Sequence, residues 1–231
     1  MKIFVSGIDT DSGKSIVTGL IAKYLLSQNK TVITQKYVQT GCLGMAEDLE
    51  THRKIMNCDL FPEDKDGITC SYLFKHPASP HLSAKMENTI INANKFTEAS
   101  KVLNDRYEFV LMEGAGGLMV PLNNETLLID YIQQEEYPVV LVASSKLGSI
   151  NHTLLSLEVL QKRKINLLAV VYNHFPNTDQ KISLDSEKMI EKYLHSYFPK
   201  AAFVSVPKID LNNPPLIDFD FINNSINLSS I

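Results

Sequence analysis

The most constraining feature of this chain is a glycine-rich turn between an apolar run and an amphipathic stretch. The apolar run is Ile3–Val5, the turn is Gly7–Ser15 (GIDTDSGKS), and the amphipathic stretch covers Ile16–Leu26. Backbone N–H groups at such a turn, and at the start of the helix that follows it, bind phosphate oxygens. Lys14 adds a positive charge, and the Ser15 hydroxyl is suited to ligate Mg²⁺. The sequence therefore favours a phosphate-binding loop.

The spacing of this loop departs from the usual pattern. Five residues separate Gly7 from Gly13, whereas the usual motif has about four. The segment behind the loop supports the assignment, because its apolar residues recur at helical spacing. These residues are Val17, Leu20, Ile21, Tyr24 and Leu25. A simple glycine turn with a solvated lysine is the alternative, and it explains less of the pattern. We expect the chain to bind a nucleoside triphosphate.

Composition limits the class of protein. The 231 residues are 44% hydrophobic and 21% charged, which is typical of an ordinary globular chain. Residues 1–231 are long enough for one large domain, and no linker or repeat divides them. The net charge is −4 without a basic tract, which argues against a nucleic-acid partner. No apolar run approaches the roughly 20 residues that span a bilayer, so no membrane partner is expected.

The first residues and the cysteines both bear on the cellular compartment of the protein. A strand is predicted from the first residues, which leaves no room for a signal peptide. The three cysteines, Cys42, Cys58 and Cys70, lack metal-ligand spacing and are odd in number. Reduced thiols in a cytoplasmic protein are the simplest interpretation.

Short apolar runs alternate with helical patterns along the chain. The predicted strands are Lys2–Ser6, Thr31–Gln35, Glu108–Met112, Val139–Ala143, Leu167–Tyr172 and Phe203–Val206. The predicted helices are Ser15–Ser27, Met45–Met56, Asn92–Leu103, Ser149–Lys162 and Ser183–His195. This alternation predicts an α/β fold in which helices cover both faces of a mostly parallel central sheet, as in P-loop nucleotide-binding domains.

Two segments do not fit the alternation. Gly67–Ser83 contains Pro77 and Pro80 and is predicted to be an irregular excursion. The chain after Pro207 is rich in asparagine and gives no clear pattern.

Ligands of open parallel sheets bind beyond the carboxyl ends of the strands. Polar, charged or glycine-rich residues follow five of the predicted strands. They are the Gly7–Ser15 loop, Lys36, Glu113–Gly117, Ser144–Gly148 and Asn173. We therefore expect these segments to meet at one edge of the sheet.

Several of these residues have both a functional and a structural interpretation. Glu113, placed at a predicted strand end, is a plausible Mg²⁺ ligand rather than a solvated turn residue. Asp48, near the start of a predicted helix, is either an N-terminal cap or a partner of the helix dipole, or it is a second carboxylate on the metal, and both interpretations remain open. Lys36 is either solvated or stabilises a transferring phosphoryl group. Lys146 is similarly ambiguous. The six histidines show no metal spacing and receive no catalytic role.

A set of motifs resembles the dethiobiotin synthetase family, whose members carboxylate a diamine with ATP and close a ureido ring. The matching segments are Gly7–Ser15, Lys36–Gly41, Ser79–Leu82, Glu113–Gly117, Lys146–His152 and Asn173. Three residues depart from the family pattern, in which threonine, valine and proline are usual. These are Ile8, Ser12 and Tyr37, respectively. They flank the functional positions without replacing them.

The resemblance implies roles for individual residues. Lys36 would be catalytic, and Ser15, Asp48 and Glu113 would surround Mg²⁺. ATP would be bound by Asp11, Ser12, Gly13, Lys14, Ser15, Ile16, Asp48, Glu113, Gly114, Ala115, Gly116, Asn173, Pro207 and Lys208. Asn173 would meet the adenine, and Pro207 is a clearer match there than Lys208. The diamine substrate would be held by Thr10, Thr40, Lys146, Leu147, Gly148 and Asn151.

The resemblance also implies a reaction and an assembly. In the family, 7,8-diaminononanoate and CO₂ form a carbamate, the carbamate accepts the γ-phosphoryl group of ATP, and the second amine displaces phosphate to give dethiobiotin. Positioning and charge neutralisation suffice for this path, so no nucleophile–base pair is expected. The family forms homodimers with substrate sites at the subunit interface.

Two other classes share parts of this pattern. Partition and cell-division switch ATPases share the fold but usually carry an early lysine in the loop, and Gly7–Asp11 has none. They also often attach to membranes through a basic amphipathic helix, which is not visible here. Amide-forming enzymes acting on cobalamin precursors append a glutaminase domain, for which this chain is too short.

Overall fold

A computed structural model describes residues 1–176 and 179–223. In this part of the chain, seven strands form one parallel sheet in the order β3-β2-β4-β1-β5-β6-β7. The strands are β1 (Lys2–Gly7), β2 (Val32–Thr40), β3 (Cys70–Phe74), β4 (Phe109–Gly117), β5 (Val139–Ser144), β6 (Leu167–Asn173) and β7 (Ala202–Val206). The order reverses beside β1, where open α/β sheets form their ligand crevice.

Helices cover both faces of the sheet. They are α1 (Lys14–Ser27), α2 (Glu47–Met56), α3 (Pro62–Lys65), α4 (Pro80–Met86), α5 (Ala93–Asn104), α6 (Leu128–Gln134), α7 (Ser149–Lys162) and α8 (Gln180–Tyr197). Strand β1 shows how the two layers are built, since its side chains alternate between faces. Phe4 joins the core under α5 to α8, whereas Ile3 and Val5 join the core under α1 and α2. The predicted α/β fold is confirmed.

The interpretation of Gly67–Ser83 as an irregular excursion was wrong. This segment contains β3 and the start of α4. Strand β3 forms the edge of the sheet by pairing with β2, with Lys36 opposite Cys70, and this long-range contact leaves little local signal. Pro80 stands in the first turn of α4, where the missing N–H of proline costs nothing. Helices α3 and α6 were also not predicted.

Strands β2 and β4 are longer than predicted. Lys36 and Glu113, expected just beyond strand ends, lie inside these strands and are register partners. The pairing between β2 and β4 ends at these two residues, and the two strands continue by pairing with β3 and β1. Each of the two charged side chains has the opposite charge beside it. Two neighbouring strands thus present the pair to the same crevice.

The segment after β7 covers the core on the α1 side. Phe219 and Ile222 are fully buried, and the Phe219 ring contacts the edge of Tyr24 on α1 at 6.0 Å. Part of the asparagine-rich segment after Pro207 is therefore packed on the core. Residues 224–231 lie outside the part of the chain that the structure describes.

Across residues 1–176 and 179–223, no helix has the length and apolar character required to cross a membrane.

Candidate active site

A cavity of 610 Å³ opens at the carboxyl edge of the sheet beside the glycine-rich loop. Most residues singled out in the sequence line it. They are Thr10, Asp11, Gly13, Lys14, Ser15, Ile16, Lys36, Thr40, Asp48, Glu113, Ala115, Gly116, Asn173 and Lys208. Further lining residues, which were not singled out, are Val38, Gln39, Thr51, Phe175, Ile209 and Leu211. Four of the five segments that were expected to meet thus line one cavity. The fifth, Ser144–Gly148, begins at the same edge of the sheet, where Ser144 pairs with Asn173, but it does not line the cavity.

The loop is fixed by a glycine and an asparagine. Gly13 caps α1 in the left-handed region with φ 94°, a conformation that other residues rarely adopt. A Cβ atom there would lie 2.1 Å from the Asn173 amide nitrogen, so side-chain size is limited as well. The Asn173 nitrogen donates to the Ser12 carbonyl at 3.1 Å, and its oxygen accepts from the Phe175 backbone at 3.2 Å. Asn173 thus ties the end of β6 to the loop.

Lys14 is buried within the loop that it serves. Its side chain is only 6% exposed, and Nζ donates to the Asp9 carbonyl at 2.9 Å. Burial, and then the neighbouring charge of Lys36, lower the pKa of Lys14 to about 8. In the free protein the charge of Lys14 is thus unfavourable, and anionic phosphates would relieve this cost.

We predict that Lys14→Met stabilises the free protein while abolishing tight nucleotide binding. The wild-type cost is full below pH 8, the folded pKa, and disappears as pH rises to the unfolded value near 10.5. A shift of this size corresponds to about 3 kcal/mol at most, so Tm at pH 7 should rise by several degrees. The gain should shrink between pH 8 and pH 10, about where wild-type Lys14 loses its proton. Thermal unfolding of wild type and Lys14→Met at pH 7 and at pH 10 checks this. An unchanged or lower Tm of the variant at pH 7 would contradict it.

The Ser15 hydroxyl faces two carboxylates. Its Oγ lies 2.8 Å from Asp48 Oδ1 and 2.9 Å from Glu113 Oε1. A hydroxyl has only one hydrogen to donate, so it satisfies only one of them at a time. Three oxygens therefore converge where a cation would complete the arrangement.

This oxygen set fits Mg²⁺. Magnesium binds oxygen ligands and commonly uses one or two carboxylates together with substrate phosphates and water. The described residues contain no cluster of three or more acidic, histidine or cysteine side chains suited to a metal. Ser15, Asp48 and Glu113 would thus supply only part of the coordination, as is usual when a nucleotide supplies the rest.

Asp48 does not cap its helix. The N-cap position of α2 is occupied by Ala46, and no side chain caps the helix by a hydrogen bond. Asp48 instead lies in the first turn and points to the cavity, where its other oxygen, Oδ2, is 2.6 Å from Lys36 Nζ. The cap interpretation was therefore wrong, whereas a place in the first turn still allows an interaction with the helix dipole. Both oxygens of Asp48 contact residues that line the cavity, as the interpretation as a metal carboxylate requires.

Lys36 is the central cation of the cavity. Besides Asp48, its Nζ contacts Glu113 Oε1 at 2.8 Å and donates to the Gly114 carbonyl at 2.9 Å. Burial disfavours the charge on Lys36, but Glu113 and Asp48 outweigh burial and raise the pKa of Lys36 above its usual range. Burial likewise opposes ionisation of Glu113, but Lys36 and His52 outweigh it and hold the pKa of Glu113 far below its usual range. The pair is charged throughout the physiological range.

His52 was missed by the sequence analysis, which attached no role to any histidine. It is fully buried on α2, and its Nε2 lies 2.7 Å from Glu113 Oε2. A signal was available, because His52 follows Asp48 by four residues and therefore shares its helix face.

Several predicted residues lie outside the cavity lining. Ser12 is a buried residue of the loop itself, and the Gly114 carbonyl accepts a hydrogen bond from Lys36. The others outside the lining are Pro207, Lys146, Leu147, Gly148 and Asn151. The last four form an exposed segment at the start of α7, in which Leu147 is 82% exposed. Within one chain, the structure does not bring this segment to the cavity.

The unusual Tyr37 is built into the core. Its ring stacks on Phe96 at 4.6 Å, and its hydroxyl donates to Met112 Sδ at 2.9 Å. The neighbouring residues of β2 keep their pairing with β3. Lys36 therefore lies in a strand that is packed into the core by a large aromatic side chain directly after it.

Comparison with known proteins places this geometry in a family. The AAA domain family matches residues 1–214. The chain is 53% identical over 200 residues to ATP-dependent dethiobiotin synthetase BioD 2 of Pasteurella multocida, covering 87% of this chain and 94% of that protein. It is 46% identical over 212 residues to ATP-dependent dethiobiotin synthetase BioD of Chlorobaculum tepidum, covering 92% and 87%. The chain belongs to the dethiobiotin synthetase family. The resemblance seen in the sequence is thereby confirmed.

Solved structures extend the fold likeness to more distant proteins. The MinD cell division protein of Aquifex aeolicus matches with a TM-score of 0.53 at 13% identity, covering 100% of this chain and 97% of that one. The pNOB8 ParA structure matches with a TM-score of 0.56 at 12% identity, covering 99% of each chain. At such low identity the likeness concerns the fold alone, so it gives the switch ATPase alternative no functional support.

Proposed function

We propose that this chain is a ligase that converts 7,8-diaminononanoate, CO₂ and ATP into dethiobiotin, ADP and phosphate, a step of biotin synthesis. The observation that carries the proposal is the group around Ser15. There Lys14, Lys36, Asp48 and Glu113 meet a phosphate-binding loop in one cavity. The names of the close relatives agree with this chemistry.

The residues divide the work by position. The Gly7–Ser15 loop and Lys14 would hold the phosphates of ATP, and Asn173 and Lys208, which also line the cavity, would lie at the base. Thr10 and Thr40 are further lining residues and would orient the diamine. Bound Mg²⁺ would neutralise phosphate charge at the oxygens of Ser15, Asp48 and Glu113.

The reaction needs no nucleophilic side chain. One amine of the substrate adds to CO₂ and loses a proton to give a carbamate. A carbamate oxygen then attacks the γ-phosphorus, and the bond to ADP breaks. The second amine attacks the carbamate carbon, expels phosphate, loses a proton and closes the ring. Lys36 would stabilise the negative charge that moves between the carbamate and phosphoryl oxygens.

The partners would be small molecules and a second copy of the chain. We propose a cytoplasmic homodimer, without nucleic-acid or membrane partners, in which Lys146, Leu147, Gly148 and Asn151 serve the substrate site of the other subunit. These four residues are exposed and do not line the cavity of their own chain, which supports this arrangement. The cysteines Cys42, Cys58 and Cys70 are free thiols, as a reducing compartment favours.

Phosphate release tests the function. ATP and Mg²⁺ are supplied with diaminononanoate alone, with bicarbonate alone, and with both. We expect rapid release only when both are present. Release that ignores the diamine, or that requires a protein partner, would favour the switch ATPase alternative.

The shared site makes a separate prediction about mixed dimers. Lys14→Met and Lys146→Ala, each inactive alone, should together recover about a quarter of wild-type activity, because about half of the dimers are mixed and each mixed dimer holds one intact site. Tagged subunits purified in tandem would verify that exchange occurred. Mixed dimers without recovered activity would show that Lys146 acts in its own subunit or not at all.

A further inference from the structure

His52 connects the cavity to the buried layer between α2 and the sheet. Its ring is fully buried, with Nε2 at 2.7 Å from Glu113 Oε2 and Nδ1 at 2.9 Å from Thr34 Oγ1. Glu113 lies on β4, and Thr34 lies on β2. One side chain therefore bridges a helix and two strands.

The hydrogen positions follow from the partners. A carboxylate only accepts, so His52 Nε2 carries the hydrogen and donates to Glu113. The Thr34 hydroxyl accepts from Arg53 Nη1 at 2.7 Å and lies 2.9 Å from His52 Nδ1, to which it can donate its own hydrogen. Arg53 is fixed in turn by two bonds of 2.7 Å to Asp64. The orientation of the imidazole is thus determined by a fully buried chain of donors and acceptors.

The two carboxylate oxygens of Glu113 contact different partners. Oε1 faces Ser15 and Lys36, whereas His52 is the bonded partner of Oε2 in the described structure. A bond to one oxygen stops the carboxylate from turning about its last torsion. The other oxygen then stays directed at the place where a cation would bind.

We propose that His52 is a positioning residue that holds Glu113 Oε2 so that Oε1 faces the divalent cation of the nucleotide site. Outer groups that orient metal ligands in this way typically change metal affinity by about 10–100-fold when they are removed. The inference rests on the cation site of the proposed function.

Two amide variants separate the bond from general packing. In His52→Gln the side-chain nitrogen reaches the place of Nε2, so the bond to Glu113 is retained. In His52→Asn the amide reaches only the place of Nδ1, so the bond is lost although the residue stays polar. His52→Leu, which has no donor, serves if the asparagine variant does not fold. Ile55→Val is the control for general packing. Ile55 is buried on the same helix, and its side chain forms no hydrogen bond, so this variant reports the effect of loosening α2 alone.

Binding of Mn²⁺ to the enzyme with the non-hydrolysable analogue AMP-PNP is measured by electron paramagnetic resonance, without diamine. We expect His52→Asn to bind Mn²⁺ about 10–100-fold more weakly, and His52→Gln and Ile55→Val to stay within about threefold of wild type. In turnover assays His52→Asn should need more Mg²⁺ but approach wild-type kcat at saturation, a split that mere structural damage would not give.

Equal Mn²⁺ affinity of wild type and a folded variant without the donor would overturn the role of His52. A loss in Ile55→Val as large as in His52→Asn would also overturn it. Since the diamine is absent from the binding measurement, a failure of the proposed reaction would appear separately, as wild-type Mn²⁺ binding without diamine-dependent phosphate release.

Discussion

Lys36→Met is expected to lower turnover by about 10²–10³-fold, the usual loss for one preorganised electrostatic group, while nucleotide affinity changes little. The loop and Lys14 remain to bind the phosphates. Lys36 would act mainly on charge that develops during transfer, so its removal should affect kcat more than binding. Calorimetry gives the affinity, and phosphate release gives the turnover.

The same variant has a structural signature. Lys36 neutralises Asp48 and Glu113 at 2.6 and 2.8 Å, and breaking a buried ion pair costs about 3–5 kcal/mol. The free variant should therefore melt at a lower temperature, and added Mg²⁺ should recover part of the loss. Lys54→Met, which removes an exposed charge from α2, is the matched control and should change neither property. Turnover of Lys36→Met within about threefold of wild type would show that Lys36 is not catalytic.

Glu113→Gln is expected to reduce turnover at low Mg²⁺ by about 10²-fold or more, because it removes a charge that faces the cation. Glu113 also accepts bonds from Lys36 and His52 through different oxygens. A glutamine has one accepting oxygen, so one of these donors would face an N–H group. An unsatisfied buried donor costs about 1–3 kcal/mol, and the variant should be less stable.

The dependence of turnover on Mg²⁺ concentration distinguishes the metal role from the structural one. Ser15→Ala should also shift this dependence to higher Mg²⁺, since it removes the third oxygen of the set. Glu108→Gln, the same change at an exposed position before β4, is the control and should behave like wild type. Full activity of Glu113→Gln and Ser15→Ala at low Mg²⁺ would remove both residues from the cation site.

Local pattern was sufficient for the loop and the main layers of the fold. The loop needs glycine and a following helix, and both leave a periodic signal close in sequence. Strand β3 was missed because its edge position depends on pairing with β2, more than 30 residues earlier, and such a long-range contact leaves no pattern within the segment itself. The lengths of β2 and β4 were underestimated for a related reason. Lys36 and Glu113 look like strand ends in isolation but compensate each other as register partners.

The site was predicted in the same uneven way. Residues next to glycines or strand ends, such as Lys14 and Asn173, were found from position alone. His52 was missed because an isolated histidine carries no motif, and its meaning depends on Glu113, 61 residues away. Within one subunit, the segment from Lys146 to Asn151 does not line the cavity, and its role in the substrate site of the other subunit stays a prediction.

The proposed function is tested most directly by tracing the carbon atom of bicarbonate into the product. The protein is incubated with ATP, Mg²⁺, diaminononanoate and ¹³C-bicarbonate, and the product is analysed by mass spectrometry while phosphate is counted. If the proposed function holds, the product is dethiobiotin that carries a single ¹³C atom, one phosphate is released for each product molecule, and no product forms without ATP. Phosphate released without labelled dethiobiotin would contradict it.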